Sequence, residues 1–156
     1  MNVTGQWRGE YSYDEDEEIS NLPARPIPYE LTLKQHWFGI VGGTVEEDKR
    51  NGFAEPGKIH GKFQGDKLRF TKHFPKLRIM HEGRNETLEA WAERWKMVLD
   101  DPDEPHPTIH CIGSLSADGQ TMAGTWLVKE VEITIPGARG PLRLPQLSGT
   151  FTMKRA

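Results

Sequence analysis

Several polar side chains fall on the inward side of segments that alternate between polar and apolar residues. They are Tyr11, Tyr13, Gln35, Lys72, His81 and Cys111. A buried polar group without a partner costs about 1–3 kcal/mol, and a charge costs more, so each needs a hydrogen bond, a ligand or water. Lys72 and His81 are the two that could hold an anion or exchange protons.

The alternation predicts that Lys72 and His81 lie on adjacent antiparallel strands near one mouth of a barrel. Aromatic residues on the same inward faces predict the rest of the wall. A cavity that is polar at one end and aromatic along its sides suits a small amphipathic anion. The predicted ligand-binding residues are Tyr11, Trp37, Phe70, Lys72, His81 and Trp126. The alternative is that the polar groups pair with one another or with water, because side chains alone can fill a small barrel.

Other kinds of site find less support in the sequence. His106, His110 and Cys111 are residue types that bind metals. However, His106 lies between prolines, and the neighbours His110 and Cys111 point to opposite faces of a strand. We interpret the histidines as surface residues and predict no metal site and no cofactor. The sequence contains no nucleophile elbow, P-loop or dinucleotide fingerprint, and no catalytic residue is predicted.

Length and composition predict a single domain over residues 1–156 with a closed sheet. The hydrophobic share is 35%, and the chain contains 16 glycines and 11 prolines, which imply many turns. A single sheet closed on itself fits this profile, since every other residue of each strand faces water. The net charge is −3, with bases and acids scattered along the chain, so we expect no nucleic-acid partner.

The single cysteine, Cys111, cannot form an internal disulfide bond. The first residues enter a strand without the basic and apolar regions of a signal peptide. No apolar run is long enough to cross a bilayer. These features predict a soluble, cytoplasmic protein without a membrane partner.

Period-two alternation predicts the strands that position the site. The first strand runs from Thr4 to Tyr13, and its Trp7 is expected to plug one end of a barrel. The other predicted strands are Tyr29–Phe38, Gly39–Glu47, Lys58–Gln64, Lys67–Phe74, Leu77–His81, Thr108–Ser116, Thr121–Lys129 and Leu147–Lys154. The predicted fold class is all-β, a single closed antiparallel up-and-down barrel of about eight strands.

One segment changes to a helical period. Its apolar residues are spaced three and four apart, which predicts an inserted amphipathic helix over about 86–99 with Asn85 as its N-cap. Trp91 and Trp95 lie one turn apart on this helix. They could cap the barrel mouth, pack on its outer wall or dock on a second subunit, and we favour the cap.

The entry to the first strand, Gly5-Gln6-Trp7, resembles the G-x-W feature of the calycin barrels, the lipocalins, fatty-acid-binding proteins and avidins. The segments at 113–119, 124–126 and 149–151 are similar to the repeated strand-turn-strand texture of avidin-like members. The resemblance covers most of the chain outside the helix and implies a lipocalin- or avidin-like barrel. The chain differs from that pattern in lacking a pair of cysteines and a biotin-binding set.

These observations support three hypotheses. The first is a lipocalin-like barrel, not an enzyme, that binds a small and partly apolar ligand in its interior. The second is a structural or oligomerising barrel with a filled core that acts through protein–protein contacts, and homo-oligomerisation stays open. The third is an enzyme that uses Lys72 and His81 as acid and base.

Overall fold

The structure, a computed structural model, describes residues 1–16, 19, 22–48, 53, 55–81, 84–87, 90, 93, 105–134 and 141–156, with backbone only at 79–81, 84–86 and 142. Its strands are β1 (Gly5–Tyr13), β2 (Ile27–Gln35), β3 (Ile40–Glu47), β4 (Gly57–Gln64), β5 (Lys67–His73), β6 (Arg78–His81), β7 (Arg84–Thr87), β8 (Ile109–Leu115), β9 (Thr121–Val128), β10 (Val131–Ile133), β11 (Leu142–Leu144) and β12 (Leu147–Arg155).

Eight of these strands form a closed antiparallel barrel in the order β1-β2-β3-β4-β5-β8-β9-β12, and β12 returns to pair with β1. Each barrel strand pairs with its neighbours along the chain, so the topology is an up-and-down meander. Buried and exposed residues alternate along the strands, for example in β2 and β8. The predicted all-β fold class and closed up-and-down barrel are confirmed.

The predicted strand Leu77–His81 is not part of the barrel wall. Strand β6 pairs with β7 in a separate two-stranded sheet, and β5 pairs with β4 and β8 instead. His81 therefore does not lie on a strand adjacent to Lys72, and that prediction is wrong. Alternation identified the extended segment, but the partner of a strand depends on pairing across the chain, which alternation does not contain.

The predicted helix over 86–99 begins in a strand, because Glu86 and Thr87 belong to β7. Beyond β7 the structure describes only Ala90 and Glu93 of this segment, and both have helical backbone. The Thr87 hydroxyl accepts a hydrogen bond from the Ala90 N–H at 3.2 Å, so Thr87 occupies the N-cap position predicted for Asn85. Trp91 and Trp95 lie outside the described residues.

The two ends of the barrel differ in the length of their connections. At one end, here called the closed end, short turns join β2 to β3, β4 to β5 and β8 to β9. At the other, here called the open end, the connections span 14–26, 48–56, 74–108 and 129–146. Small sheets β6–β7 and β10–β11 lie within two of these long connections.

Trp7 fills the closed end and is completely buried, as predicted. Its indole N–H donates to the Val3 carbonyl at 2.9 Å, and the Arg155 guanidinium lies 4.6 Å from the centre of its ring. Arg155 also donates to the carbonyls of Thr4 and Gly119, each at 2.8 Å. The end of β12 is thereby tied to the start of β1 and to the β8–β9 turn.

Trp37 lies outside the barrel, and its predicted inward position is wrong. Strand β2 ends at Gln35, and Trp37–Gly39 form a 3₁₀ turn that leads into β3. The turn depends on a left-handed backbone at Phe38 (φ 59°) and Gly39 (φ 74°). Side chains point alternately inward and outward only as far as the strand continues. Leu33 and Trp37 are an even number of residues apart, but β2 ends before Trp37, so Trp37 does not share the buried side of Leu33.

Candidate functional site

A cavity of about 80 Å³ lies inside the open half of the barrel. Its floor is formed by inward-facing residues of the strands, and its mouth by residues of the long connections. The lining side chains are those of Tyr11, Tyr13, Ile19, Glu47, Phe53, Lys72, Arg78, His106, Pro107, Ile109, Cys111, Trp126, Val128, Leu144, Pro145, Leu147 and Phe151. Most of this surface is apolar, and the charged groups converge at one side.

Tyr11, Glu47 and Lys72 form a buried polar cluster in this cavity. The Tyr11 hydroxyl donates to Glu47 Oε2 at 2.9 Å, and Lys72 Nζ lies 3.9 Å from Glu47 Oε1. The three residues come from β1, β3 and β5, and each occupies an inward-facing position in the alternation of its strand. Closure of the barrel brings them together although they are far apart in sequence.

The Lys72 ammonium is the least satisfied group of this cluster. Lys72 is only 5% exposed, yet within the described part of the chain no acceptor lies within hydrogen-bond distance of its Nζ. The faces of Tyr29 and Tyr11 cover it, with ring centres at 4.3 and 5.5 Å. Cation–π contacts offset part of the lost hydration, but they leave the three N–H donors without an acceptor among the described residues.

Burial dominates the electrostatics of the cavity. It raises the pKa of the Glu47 carboxyl above its ordinary value, although the nearby Lys72 and the Tyr11 hydroxyl oppose the rise. Burial also raises the pKa of the Cys111 thiol to about 11 and that of Tyr13 to about 12. The thiol and the phenols therefore stay neutral at pH 7, and Cys111 is not an activated nucleophile.

Aromatic side chains form an apolar wall beside the polar cluster. Trp126 packs edge-on against Tyr11 and Tyr13, with ring centres at 5.8 and 5.0 Å, and its indole N–H donates to the Ser12 carbonyl at 3.1 Å. A Cβ atom added at Gly149 would lie 1.8 Å from the Ser12 carbonyl oxygen and 2.6 Å from the indole nitrogen. The absence of a side chain at Gly149 therefore allows Trp126 to occupy this position.

His106 belongs to the mouth of the cavity and not to the surface, which corrects the prediction from the sequence. Its Nδ1 accepts a hydrogen bond from the Arg78 backbone N–H at 3.2 Å, and Phe53 packs edge-on against its ring at 4.7 Å. Burial and the positive charge of Arg78 lower the pKa of His106 to about 3. The imidazole is therefore neutral at pH 7.

The structure brings together half of the predicted ligand-binding residues. Tyr11, Lys72 and Trp126 line the cavity. Phe70 is buried in the core of the barrel and is not among the lining residues of the cavity; it contacts Phe151 with ring centres 5.8 Å apart. Trp37 lies outside the barrel, and His81 lies in the β6–β7 hairpin, where its side chain is not described.

Glu47 is the site residue that the sequence analysis missed. It shares the parity of Val41 and Val45 on β3, and this alternation would have placed it on the inner face. Arg78 and His106 carry no such signal, because they enter the site from connections outside the barrel wall.

No protein-family model matches the chain, and no curated protein matches it. Within the described ranges, no three residues among His, Cys, Asp and Glu are grouped closely enough to hold a metal ion. No described helix is long and apolar enough to cross a membrane.

Proposed function

We propose that the barrel binds a small amphipathic molecule whose anionic group, such as a carboxylate, meets the Lys72 ammonium. The observation that carries this proposal is a buried ammonium that faces a cavity and lacks a hydrogen-bond acceptor among the described residues. A carboxylate there would accept charge-assisted hydrogen bonds, each worth about 1.5–3 kcal/mol.

The charge balance of the cavity supports an anion. Lys72 and Arg78 are cations, Glu47 is the only acidic residue among the described residues of the lining, and His106 is neutral. A bound carboxylate would give the buried Lys72 ammonium a second anionic neighbour beside Glu47. The Tyr11 hydroxyl donates a hydrogen bond to Glu47 Oε2, and the other carboxylate oxygen, Oε1, lies on the side of Lys72. This hydrogen bond keeps the carboxylate beside Lys72 and away from the open part of the cavity.

The apolar wall supports a short hydrocarbon part. Trp126, Phe151, Ile109 and Val128 provide a surface that favours alkyl or aryl groups. An apolar cavity of about 150 Å³ holds a benzene molecule, so the 80 Å³ here, with an opening at the mouth, suits a short chain. This cavity also favours ligand binding over the alternative of a completely filled structural barrel. We include in this proposal the resemblance to lipocalin-like calycin barrels. The closed meander that starts at Gly5-Gln6-Trp7 supports that resemblance.

Titration with butyrate, 1-butanol and butylamine tests the role of Lys72, because the three probes share a chain and differ in charge. The readout is the NMR signal of the Trp126 indole N–H, which lies in the cavity wall. We expect butyrate to bind at least about tenfold more tightly than butanol, and butylamine more weakly than either. Lys72→Met should abolish the preference for butyrate, whereas Lys154→Met on the outside of β12 should not change it.

Removal of Lys72 alone leaves Glu47 buried without its cation, which could prevent folding. A second variant therefore tests the role of Lys72 without leaving an unpaired buried charge. The double variant Lys72→Met/Glu47→Gln removes both charges and is expected to fold and still to bind butanol. Equal binding of butyrate and butanol to the unaltered protein, or unchanged butyrate binding in the double variant, would refute the role of Lys72.

A further inference from the structure

An apolar patch lies outside the barrel at its closed end. Trp37 and Phe38 expose 85% and 89% of their surfaces, and the adjacent Ile40 exposes 56%. These three residues are called the closed-end patch below. Single exposed apolar side chains are common, but three large ones in one short segment are typical of a surface that binds a partner.

The turn holds the patch in a fixed and costly conformation. The Phe38 backbone is left-handed, which costs a residue with a side chain about 1–2 kcal/mol. The His36 N–H donates to the Ile40 carbonyl at 2.6 Å and closes the turn. Glycine would adopt this backbone without the steric cost, so an exposed phenylalanine at this position is explained by a use for its ring.

Strand pairing extends the patch into a basic surface. Ile40 on β3 lies beside Lys62 on β4, Lys62 lies beside Arg69 on β5, and Arg69 lies beside Ile112 on β8. The outward positions of β4 and β5 carry no acidic residue, and Asp66 lies only in the turn between them. The exposed cations of this surface near the closed end, called the basic face below, are Lys34, Lys62, Lys67 and Arg69. None of them has a carboxylate partner within the described ranges.

We propose that the closed-end patch and the basic face dock the barrel on the surface of an anionic lipid bilayer. Trp37 and Phe38 would enter the headgroup region, where aromatic rings are favoured. The cations of the basic face would attract anionic headgroups, with about 1 kcal/mol from each charge close to the surface. This proposal replaces the expectation of no membrane partner, and it is independent of the proposed function because it concerns the opposite end of the barrel.

The composition of the surface favours a bilayer over a nucleic acid. Single-stranded nucleic acids stack on aromatic rings that are placed among cations along a groove. Here the two rings are adjacent in one turn, and the other exposed apolar residues, Ile40 in the patch and Ile112 on the far side of Lys62 and Arg69, are aliphatic. Aliphatic side chains do not stack on bases, whereas the boundary of the acyl chains accepts them.

The charge of the basic face also disfavours a second copy of the chain. A two-fold contact through this surface would place like charges of both copies against each other. A bilayer that contains anionic lipid supplies the opposite charge. Docking in this orientation directs the open end, and therefore the mouth of the cavity, away from the membrane.

Vesicle sedimentation tests the proposal with two lipid compositions, phosphatidylcholine alone and phosphatidylcholine with about a third phosphatidylserine. We expect the protein to sediment with the anionic vesicles and to be released as the salt concentration rises. Trp37→Ala/Phe38→Gly should weaken binding at least about tenfold. This variant is expected to fold, since Trp37 is exposed and glycine suits the backbone at position 38.

Charge variants and a matched control measure the electrostatic contribution to vesicle binding. Lys62→Gln and Arg69→Gln should each weaken binding to anionic vesicles about fivefold, whereas Lys129→Gln, at an exposed lysine directly after β9 at the open end, should have no effect. Failure to bind anionic vesicles, or equal binding by the Trp37/Phe38 variant, would overturn the proposal. So would a lipid-free dimer that this variant dissociates, or binding to an oligouridine that is lost with Lys62 and Arg69.

Discussion

The closed and open ends are built from the same eight strands, but they satisfy their polar groups differently. At the closed end, the indole of Trp7 and the guanidinium of Arg155 donate to backbone carbonyls at 2.8–2.9 Å. At the open end, the Lys72 ammonium is also buried, but the nearest carboxylate oxygen among the described residues is 3.9 Å away. Polar groups that are paired contribute stability, and a buried group that is incompletely paired leaves interactions for a ligand.

The largest effect is expected from the closed end. Trp7→Ala removes a completely buried ring together with its hydrogen bond to Val3 and its contact with Arg155, and should lower the free energy of unfolding by about 3–5 kcal/mol. Urea denaturation measures the change. Trp37→Ala is the matched control for an exposed tryptophan and should change the same free energy by less than about 0.5 kcal/mol. Similar losses in both variants would contradict the assignment of Trp7 as the plug of the barrel.

The next effect concerns the charge pair of the open end. Lys72→Met leaves Glu47 buried without its cation and should lower the free energy of unfolding at pH 7 by about 3 kcal/mol. The loss should shrink at lower pH, because a protonated Glu47 carries no charge that needs a partner. Adding Glu47→Gln should restore most of the stability. A double variant as unstable as the single one would show that packing of the lysine stem, and not the charge, is responsible.

The pH dependence of stability tests the burial of His106. The pKa of this residue is about 3 in the folded protein, against 6.5 for a free imidazole. The unfolded chain therefore takes up a proton below pH 6.5 that the folded chain does not, so stability is complete above pH 6.5 and falls as the pH decreases. The loss should reach about 2 kcal/mol near pH 5, measured by urea denaturation. His106→Gln should flatten this decline, because glutamine does not titrate.

The smallest effect isolates one hydrogen bond of the polar cluster. Tyr11→Phe removes the hydroxyl that donates to Glu47 and should lower the free energy of unfolding by about 1.5 kcal/mol. The same change should raise the pKa of Glu47 further, since the hydrogen bond from Tyr11 opposes the effect of burial. An NMR titration of the Glu47 carboxyl carbon measures that pKa. An unchanged or lower value would show that Tyr11 does not stabilise the carboxylate.

The barrel and much of its interior could be predicted from the sequence because the alternation of apolar and polar residues along a strand indicates which side is buried. Tyr11, Lys72, Cys111 and Trp126 were all placed inward by alternation and are buried. Alternation cannot identify the partner of a strand, so it did not separate the β6–β7 hairpin from the wall. It also cannot locate the residue at which a strand ends, and Trp37 was placed on the wrong side for that reason.

The remaining features depend on contacts between distant segments. His106 was expected at the surface because its prolines indicate a connection, but the connection folds back over the mouth of the cavity. The basic face was missed because its cations come from three strands and form one surface only after pairing. Each strand alone has an ordinary charge pattern. Predicting features of this kind requires knowing which strands pair, and the order of residues in one sequence does not give the pairing.

The pairing of β1 with β12 has a consequence for the order in which the protein is made. Residues 5–13 are synthesised before the other strands of the barrel, but one of their two neighbours in the barrel is the strand 147–155. Until that strand emerges, the growing sheet has two unpaired edges, β1 and β9. Unpaired edges are sites of mistaken association between chains. Correct closure therefore depends on keeping these edges apart from other nascent chains during translation.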